Sequence, residues 1–179
     1  MSIKQKKRAL IISSGLVQDQ EFVYPFYRLL EEQFTVDVSL FENSVVKGIL
    51  GINIPPNKDH PLTSIDNVNP EDYDFLVLPG GVKSMEKLRL KKTVLDIISK
   101  LDDKGVTIAS ICSAAQLLIS AKVVKNRKIA GYYSMKDDLI NAGAIYTDFP
   151  AVIDKNIIST AHYKDLGPWM KASLSVYYQ

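Results

Sequence analysis

Apolar strand-like runs alternate with amphipathic helical runs along the chain, and this alternation constrains the fold more than any other feature. RALIIS, FTVDVSLF, YDFLVLPGG and VTIASI read as strands. EFVYPFYRLLEEQ, KKTVLDIISKLDDKG and SAAQLLISAKVV read as the intervening helices. Pro25 is placed near the start of the first helix, where a proline is tolerated. Gly105 stops the second, just past a helix end. SMKDDLINAG is a short helix ending at Gly143, AVIDKNIIST two short strands around an Asp-Lys-Asn turn, and DLGPWMKASLSVYY a closing helix. The stretch from Val45 to Asp72, rich in Gly, Pro and Asn, predicts short strands and loops, with His60 exposed. Strands joined by crossover helices imply an α/β fold, a mostly parallel sheet with helices on both faces. With 179 residues, 46% of them hydrophobic, and no repeats or linkers, the chain is expected to form one domain over 1–179.

Charge and composition narrow the function. A net charge of +2 gives no overall field to recruit nucleic acid or acidic lipid. KQKKRALIISSGLV superficially suits a signal peptide, but no small-x-small cleavage pattern follows, and Gln18, Asp19 and Gln20 end the run. The expectation is a solvated basic tail over residues 1–7 ahead of the first strand. No stretch approaches the ~18 apolar residues of a membrane span. The single cysteine cannot form an intramolecular disulfide and points to a reducing, cytoplasmic setting. Two histidines, His60 and His162, without a Cys/His cluster, suggest no metal site. LPGG lacks the Gly-Lys-Ser/Thr of a phosphate loop, and no cofactor is expected. The partner implied is a small molecule or a peptide.

In such sheets chemistry gathers where strands end. Three ends stand out: LPGG at 78–81, SICSA at 110–114, and Ala161–His162 after IIST. Cys112 sits between a strand and a helix, flanked by Ser110, Ser113, Ala114 and Ala115. Small neighbours let strand and helix approach around a nucleophile on a sharp turn. A helix amino terminus favours thiolate over thiol, and its free N–H groups can hold an oxyanion. The same pattern equally fits a buried structural cysteine. Tyr132 and Tyr133 fit either packing or a pocket border.

DFLVLPGG, VTIASICSAAQLLISAKVVKNRKIAGYYSMKDDLINAGA and DLGPWM together resemble the PfpI/ThiJ superfamily, which includes PfpI-type intracellular proteases and the Parkinson's-associated deglycase. YPFYRLLEE and VNPEDYDFLVLPGG extend the likeness over nearly the whole chain. The resemblance implies a flavodoxin-like three-layer sandwich with a nucleophile elbow. It places Cys112 as nucleophile and the N–H groups of Gly81 and Ser113 as the oxyanion hole. Glu86 falls close to an acid that comes from a neighbouring subunit, which implies a homo-oligomer, a dimer or larger.

The departures bear on mechanism. Ser113 stands where PfpI-type members carry histidine. Gln18 aligns with the glutamate that hydrogen-bonds the cysteine, Glu21 with a second family glutamate, and Ala161 replaces a strand-end arginine. Glutamine orients but cannot titrate, so a general acid is expected to be missing, as is the adjacent base. His162, three residues before Asp165, is the candidate proton carrier from another strand end, as in related class I glutamine amidotransferases; a surface loop histidine is the plainer alternative. The expected function is a cysteine-dependent hydrolase or lyase of a small carbonyl or amide, of glyoxalase, deglycase or peptidase kind. A stress-response or redox-sensing member using Cys112 and a pseudoenzyme binding module are the alternatives.

Overall fold

Six strands form the central sheet of the computed structural model, which describes residues 7–179. In chain order they are β1 (Arg8–Ser13), β2 (Thr35–Leu40), β3 (Phe75–Leu78), β4 (Thr107–Ile111), β5 (Val152–Asp154) and β6 (Ile157–Thr160). In space they run β2-β1-β3-β4-β6-β5, and all neighbours are parallel except the β6–β5 pair. The helices are α1 (Asp19–Glu31), α2 (Val82–Leu88), α3 (Lys92–Asp103), α4 (Ala115–Ser120), α5 (Lys136–Asn141) and α6 (Leu166–Tyr177). Two-residue strand pairs, Val46–Lys47 with Asn53–Ile54 and Lys128–Ile129 with Ile145–Tyr146, lie outside the sheet.

Successive strand side chains point to opposite faces, so a strand that is apolar throughout feeds two cores. Leu10, Ile12, Leu76, Leu78 and Ile108 pack with Leu88, Ile98, Leu117 and Leu139 from α2, α3, α4 and α5. Ala9, Ile11, Phe75, Val77 and Ile111 pack with Phe22, Phe26 and Trp169 from α1 and α6. The three-layer sandwich is therefore written in the strand alternation. From β1 the chain moves to one neighbour, β2, and later to the other, β3. The loops after β1 and β3 then diverge to opposite faces and open a crevice at the carboxyl ends of the strands.

Three expectations need correcting. The first helix begins at Asp19, so Pro25 falls inside it rather than near its start. It has no N–H to offer the Glu21 carbonyl one turn back. His60 is half-buried, not loose: its Nε2–H donates to the Val36 carbonyl at 2.9 Å, and its ring meets Phe26 edge-on at 5.0 Å. Of the basic tail, residues 1–6 lie outside the described region. Lys7 is tied down, with its Nζ 2.6 Å from the Tyr178 hydroxyl.

Candidate active site

β4 delivers Cys112 to the carboxyl edge of the sheet. The backbone turns there at a φ of 59°, a left-handed conformation that a non-glycine residue adopts at a cost. A short 3-10 turn, Cys112–Ala114, leads into α4. The elbow expected around the cysteine is present, with the small residues Ala114 and Ala115 fully buried behind it.

Two glycines let the neighbouring loop close on the elbow. A Cβ on Gly80 would stand 2.5 Å from Glu21 Oε2 and 2.8 Å from Cys112 Cβ. Gly81 has a φ of 105° and lies against the backbone of Leu16, Val17 and Gln18, where a Cβ would come within 2.6–2.8 Å. Only glycine meets both the conformation and the approach.

The carboxyl facing the thiol is Glu21, which corrects the assignment of that role to Gln18. Glu21 is fully buried in the first turns of α1, and its Oε2 accepts the Gly80 N–H at 2.8 Å. Its Oε1 has no other protein donor, and the Cys112 thiol lies against the carboxyl. The Gln18 side chain donates instead to Gln20, while its backbone N–H donates to the Gly80 carbonyl at 3.2 Å.

The electrostatics follow from burial. Removal from water pushes the Glu21 carboxyl up to about 7, against the opposing pull of the Gly80 N–H and the thiol. Burial first, then the negative charge of Glu21, push the Cys112 thiol up to about 12; the Ser113 amide and hydroxyl oppose this. The thiolate-favouring effect expected of the helix terminus is thus outweighed, by burial first and by Glu21 when it is ionised. Below about 7 the pair holds two protons, and above it one, on the sulfur.

A cavity of about 280 Å³ opens onto the sulfur, lined by Gln18, Glu21, Gly81, Cys112, Tyr132 and His162, with Ile49 and Tyr163 at its walls. Ile49 is held by its own N–H, which donates to the Val17 carbonyl at 2.9 Å, and by its neighbours. Asp19, buried at the start of α1, accepts the N–H groups of Leu50 at 2.7 Å and Ile52 at 2.9 Å. His162 shares the cavity with Cys112 but is hydrogen-bonded elsewhere. Its Nδ1 accepts the Lys164 N–H at 3.2 Å, so the Lys164 amide and not the Asp165 carboxylate orients the ring. A neutral ring then carries its proton on Nε2. Tyr132, Tyr133 and Tyr163 surround it, with ring centroids 6.2, 6.3 and 4.0 Å away. Ser113 is buried, and Glu86 is exposed on α2 with its carboxylate 2.9 Å from Lys83 Nζ, away from its own chain's cavity. Sequence reasoning missed Asp19, Ile49 and Tyr163. A buried acid at the start of an apolar helix was the one available signal for the first.

Among the described residues no His, Cys, Asp or Glu side chains cluster as metal ligands, and no helix is long and apolar enough to cross a membrane. The model of the DJ-1/PfpI family matches residues 7–175. The chain is 38% identical over 164 residues to the protein named deglycase PfpI from Pyrococcus furiosus, covering 92% of this chain and 95% of that one. It is 28% identical over 171 residues to the putative cysteine protease YraA of Bacillus subtilis, covering 95% and 98%. The crystal structure of Drosophila melanogaster DJ-1beta superposes with a TM-score of 0.85 at 25% identity, covering 97% of this chain and 92% of that one.

Proposed function

The chain belongs to the DJ-1/PfpI family, and from that premise we propose that it is a cysteine-dependent hydrolase or lyase of deglycase type, acting on a small carbonyl compound or its adduct. The observation that carries this reading is the Cys112–Glu21 pair: a thiol on a strained elbow, facing a buried carboxyl whose proton is poised near neutrality. Glu21 takes the thiol proton as the sulfur adds to the carbonyl carbon, forming the C–S bond. The N–H groups of Gly81 and Ser113 receive the resulting oxyanion. For a 2-oxoaldehyde, Glu21 then carries the proton of the sulfur-bearing carbon to the neighbouring carbonyl carbon. One carbon is oxidised as the other is reduced, and a 2-hydroxy thioester results. Water cleaves its C–S bond to release the 2-hydroxy acid and the Cys112 thiol. In an amine adduct the C–N bond breaks and the amine departs with a proton. His162 offers an Nε2–H to the departing group. The cavity of about 280 Å³ suits a small carbonyl better than a folded peptide segment.

The test is turnover of a 2-oxoaldehyde and of its adduct with an N-acetylated amino acid. Activity should vanish in Cys112→Ser, and its pH profile should show an apparent pKa near 7 that is absent in Glu21→Gln. Wild-type protein inert to both substrates, yet losing its alkylatable thiol reversibly under peroxide, supports the redox-sensing reading instead. That reading is favoured by the partial exposure of Cys112.

Self-association belongs to the same reading. Glu86 is exposed on α2, where it can serve only a neighbour's cavity, and Tyr24, Tyr27 and Ile52 line an exposed apolar groove along α1. A single monomeric species in sedimentation velocity removes Glu86 from the site.

A further inference from the structure

Behind the elbow lies a second cavity, of about 530 Å³, between α2, α4 and α5. It shares Val82 and Tyr132 with the cavity that holds Cys112, so the two adjoin at those side chains. Two of its lining residues are charged, Arg89 and Asp138.

Among the described residues, Arg8, Arg28 and Arg127 all pair with carboxylates, and Arg89 does not. Its guanidinium is nevertheless held in place by neutral acceptors on α4. Nε and Nη2 donate to Ser120 Oγ at 3.1 and 3.0 Å, and Nη1 donates to Gln116 Oε1 at 3.3 Å. Five N–H groups with three engaged leave one on each terminal nitrogen, the fork a carboxylate accepts. Asp138, on α5, likewise has no cationic partner among the described residues, and it does not bridge to Arg89. Ser113 adds a third feature: it lines the cavity, is 1% exposed, and its hydroxyl finds no partner beyond the adjoining Cys112 sulfur. A hydroxyl has one proton and two lone pairs, so this one keeps hydrogen-bonding capacity for a ligand on that wall.

We propose that this cavity binds an α-amino acid, with Arg89 taking the carboxylate and Asp138 the ammonium. A dianion such as phosphate meets the Asp138 charge, and a cation meets Arg89; a zwitterion satisfies both. Across Val82 and Tyr132, the bound residue can present a carbonyl adduct to Cys112. That extension rests on the function proposed above, whereas the binding does not.

The test is an NMR titration of ¹⁵N-labelled protein with L-alanine, using N-acetyl-L-alanine and L-alaninamide as probes carrying one charge each. L-Alanine should give saturable shifts at Ser113, Gln116 and Asp138. Each single-charge probe should bind at least tenfold more weakly, about the cost of losing one charge-assisted hydrogen bond. Arg89→Gln and Asp138→Asn should weaken L-alanine by a similar factor, and Arg89→Lys, which keeps charge without the fork, by less. Cys112→Ser should bind as wild type does, which separates this site from the thiol chemistry. Thermal melts of each variant establish that it is folded. Shifts that do not saturate, or affinity unchanged in Arg89→Gln and Asp138→Asn, overturn the proposal. So does a change of sedimentation coefficient in those variants without loss of a saturable site, which assigns the unpaired charges to contact with a second copy.

Discussion

The two ends of β4 treat buried polar groups in opposite ways. At its amino end, Arg127 is 9% exposed and each of its three guanidinium nitrogens is engaged. It meets Asp102 at 2.7 Å and Asp154 and Asn156 at 3.3 and 3.0 Å, and Asn156 closes the network onto Asp102 and the Val106 carbonyl, both at 3.0 Å. At the carboxyl end lie Ser13, Ser39, Ser110 and Thr160, on β1, β2, β4 and β6, with Glu21 and Ser113 beside them. Each of these six residues has a buried side-chain oxygen without a hydrogen-bond partner. One end uses its polar groups to hold strands and helices together. The other leaves them unpaired along the sheet edge that carries the thiol, as a site for chemistry requires and a stable core avoids.

The sharpest break in that contrast is Glu21→Gln. Turnover should fall ~10²–10⁴-fold, the usual worth of a general acid–base group. The same variant should be more stable than wild type at pH 8. The folded Glu21 holds its proton to about pH 7, whereas the unfolded side chain releases it near 4.5. Between those values the folded state binds more protons, so wild-type stability falls as pH rises through the window and levels off above it. The loss is on the order of 3 kcal/mol. The Glu21→Gln variant has no such slope, and urea unfolding at a pH below and a pH above that window measures both. A variant that is less stable at pH 8 would place Glu21 with the structural end of the strand.

Arg127→Ala makes the reverse test. It strands Asp102 and Asp154 without their cation and should cost about 3 kcal/mol, the common penalty for removing one partner of a buried ion pair. Activity per folded molecule should be unchanged, as titrated by Cys112 alkylation. Loss of specific activity in protein shown to be folded would mean that the two ends are coupled through β4.

His162→Ala should have a smaller effect. The ring lines the Cys112 cavity, but its Nδ1 is occupied by the Lys164 amide. What it can contribute is one hydrogen bond from Nε2, worth about tenfold in turnover. A drop of ~10³ together with loss of the neutral-pH limb would make it the general base.

The same contrast explains what could be read from sequence. Layer order and elbow were legible because they follow from local pattern: apolar runs with period 2, glycines after β3, small residues after Cys112. Arg127 was not, because its partners lie 25 and 27 residues away in sequence and only the fold assembles them. The choice between Gln18 and Glu21 failed for a different reason. Gln18 caps α1 and Glu21 lies in its first turn, and a helix starting at Asp19 turns only Glu21 inward. The side chain three positions on meets the thiol, while Gln18 stays half-buried at the rim.

That distinction yields the smallest and most discriminating prediction, Gln18→Glu. If Gln18 touched the thiol, a carboxylate there would install a second acid beside Glu21 and move the pH profile of Cys112 alkylation by more than one unit. The structure instead places the Gln18 side chain against Gln20, on a cavity wall shared with solvent. The new carboxylate loses the donor that bonded Gln20 Oε1, meets an acceptor in its place, and turns toward water. Across a solvated cavity a unit charge beyond hydrogen-bond reach of the sulfur is worth on the order of 0.5 kcal/mol. The sign is upward, because negative charge disfavours thiolate. The alkylation profile should therefore shift up by ~0.4 pH unit, and shift less at high salt, where exposed charges are screened. A shift of a full unit that survives high salt would mean that position 18 shares the thiol's proton, and Glu21 would no longer be the sole acid of the pair.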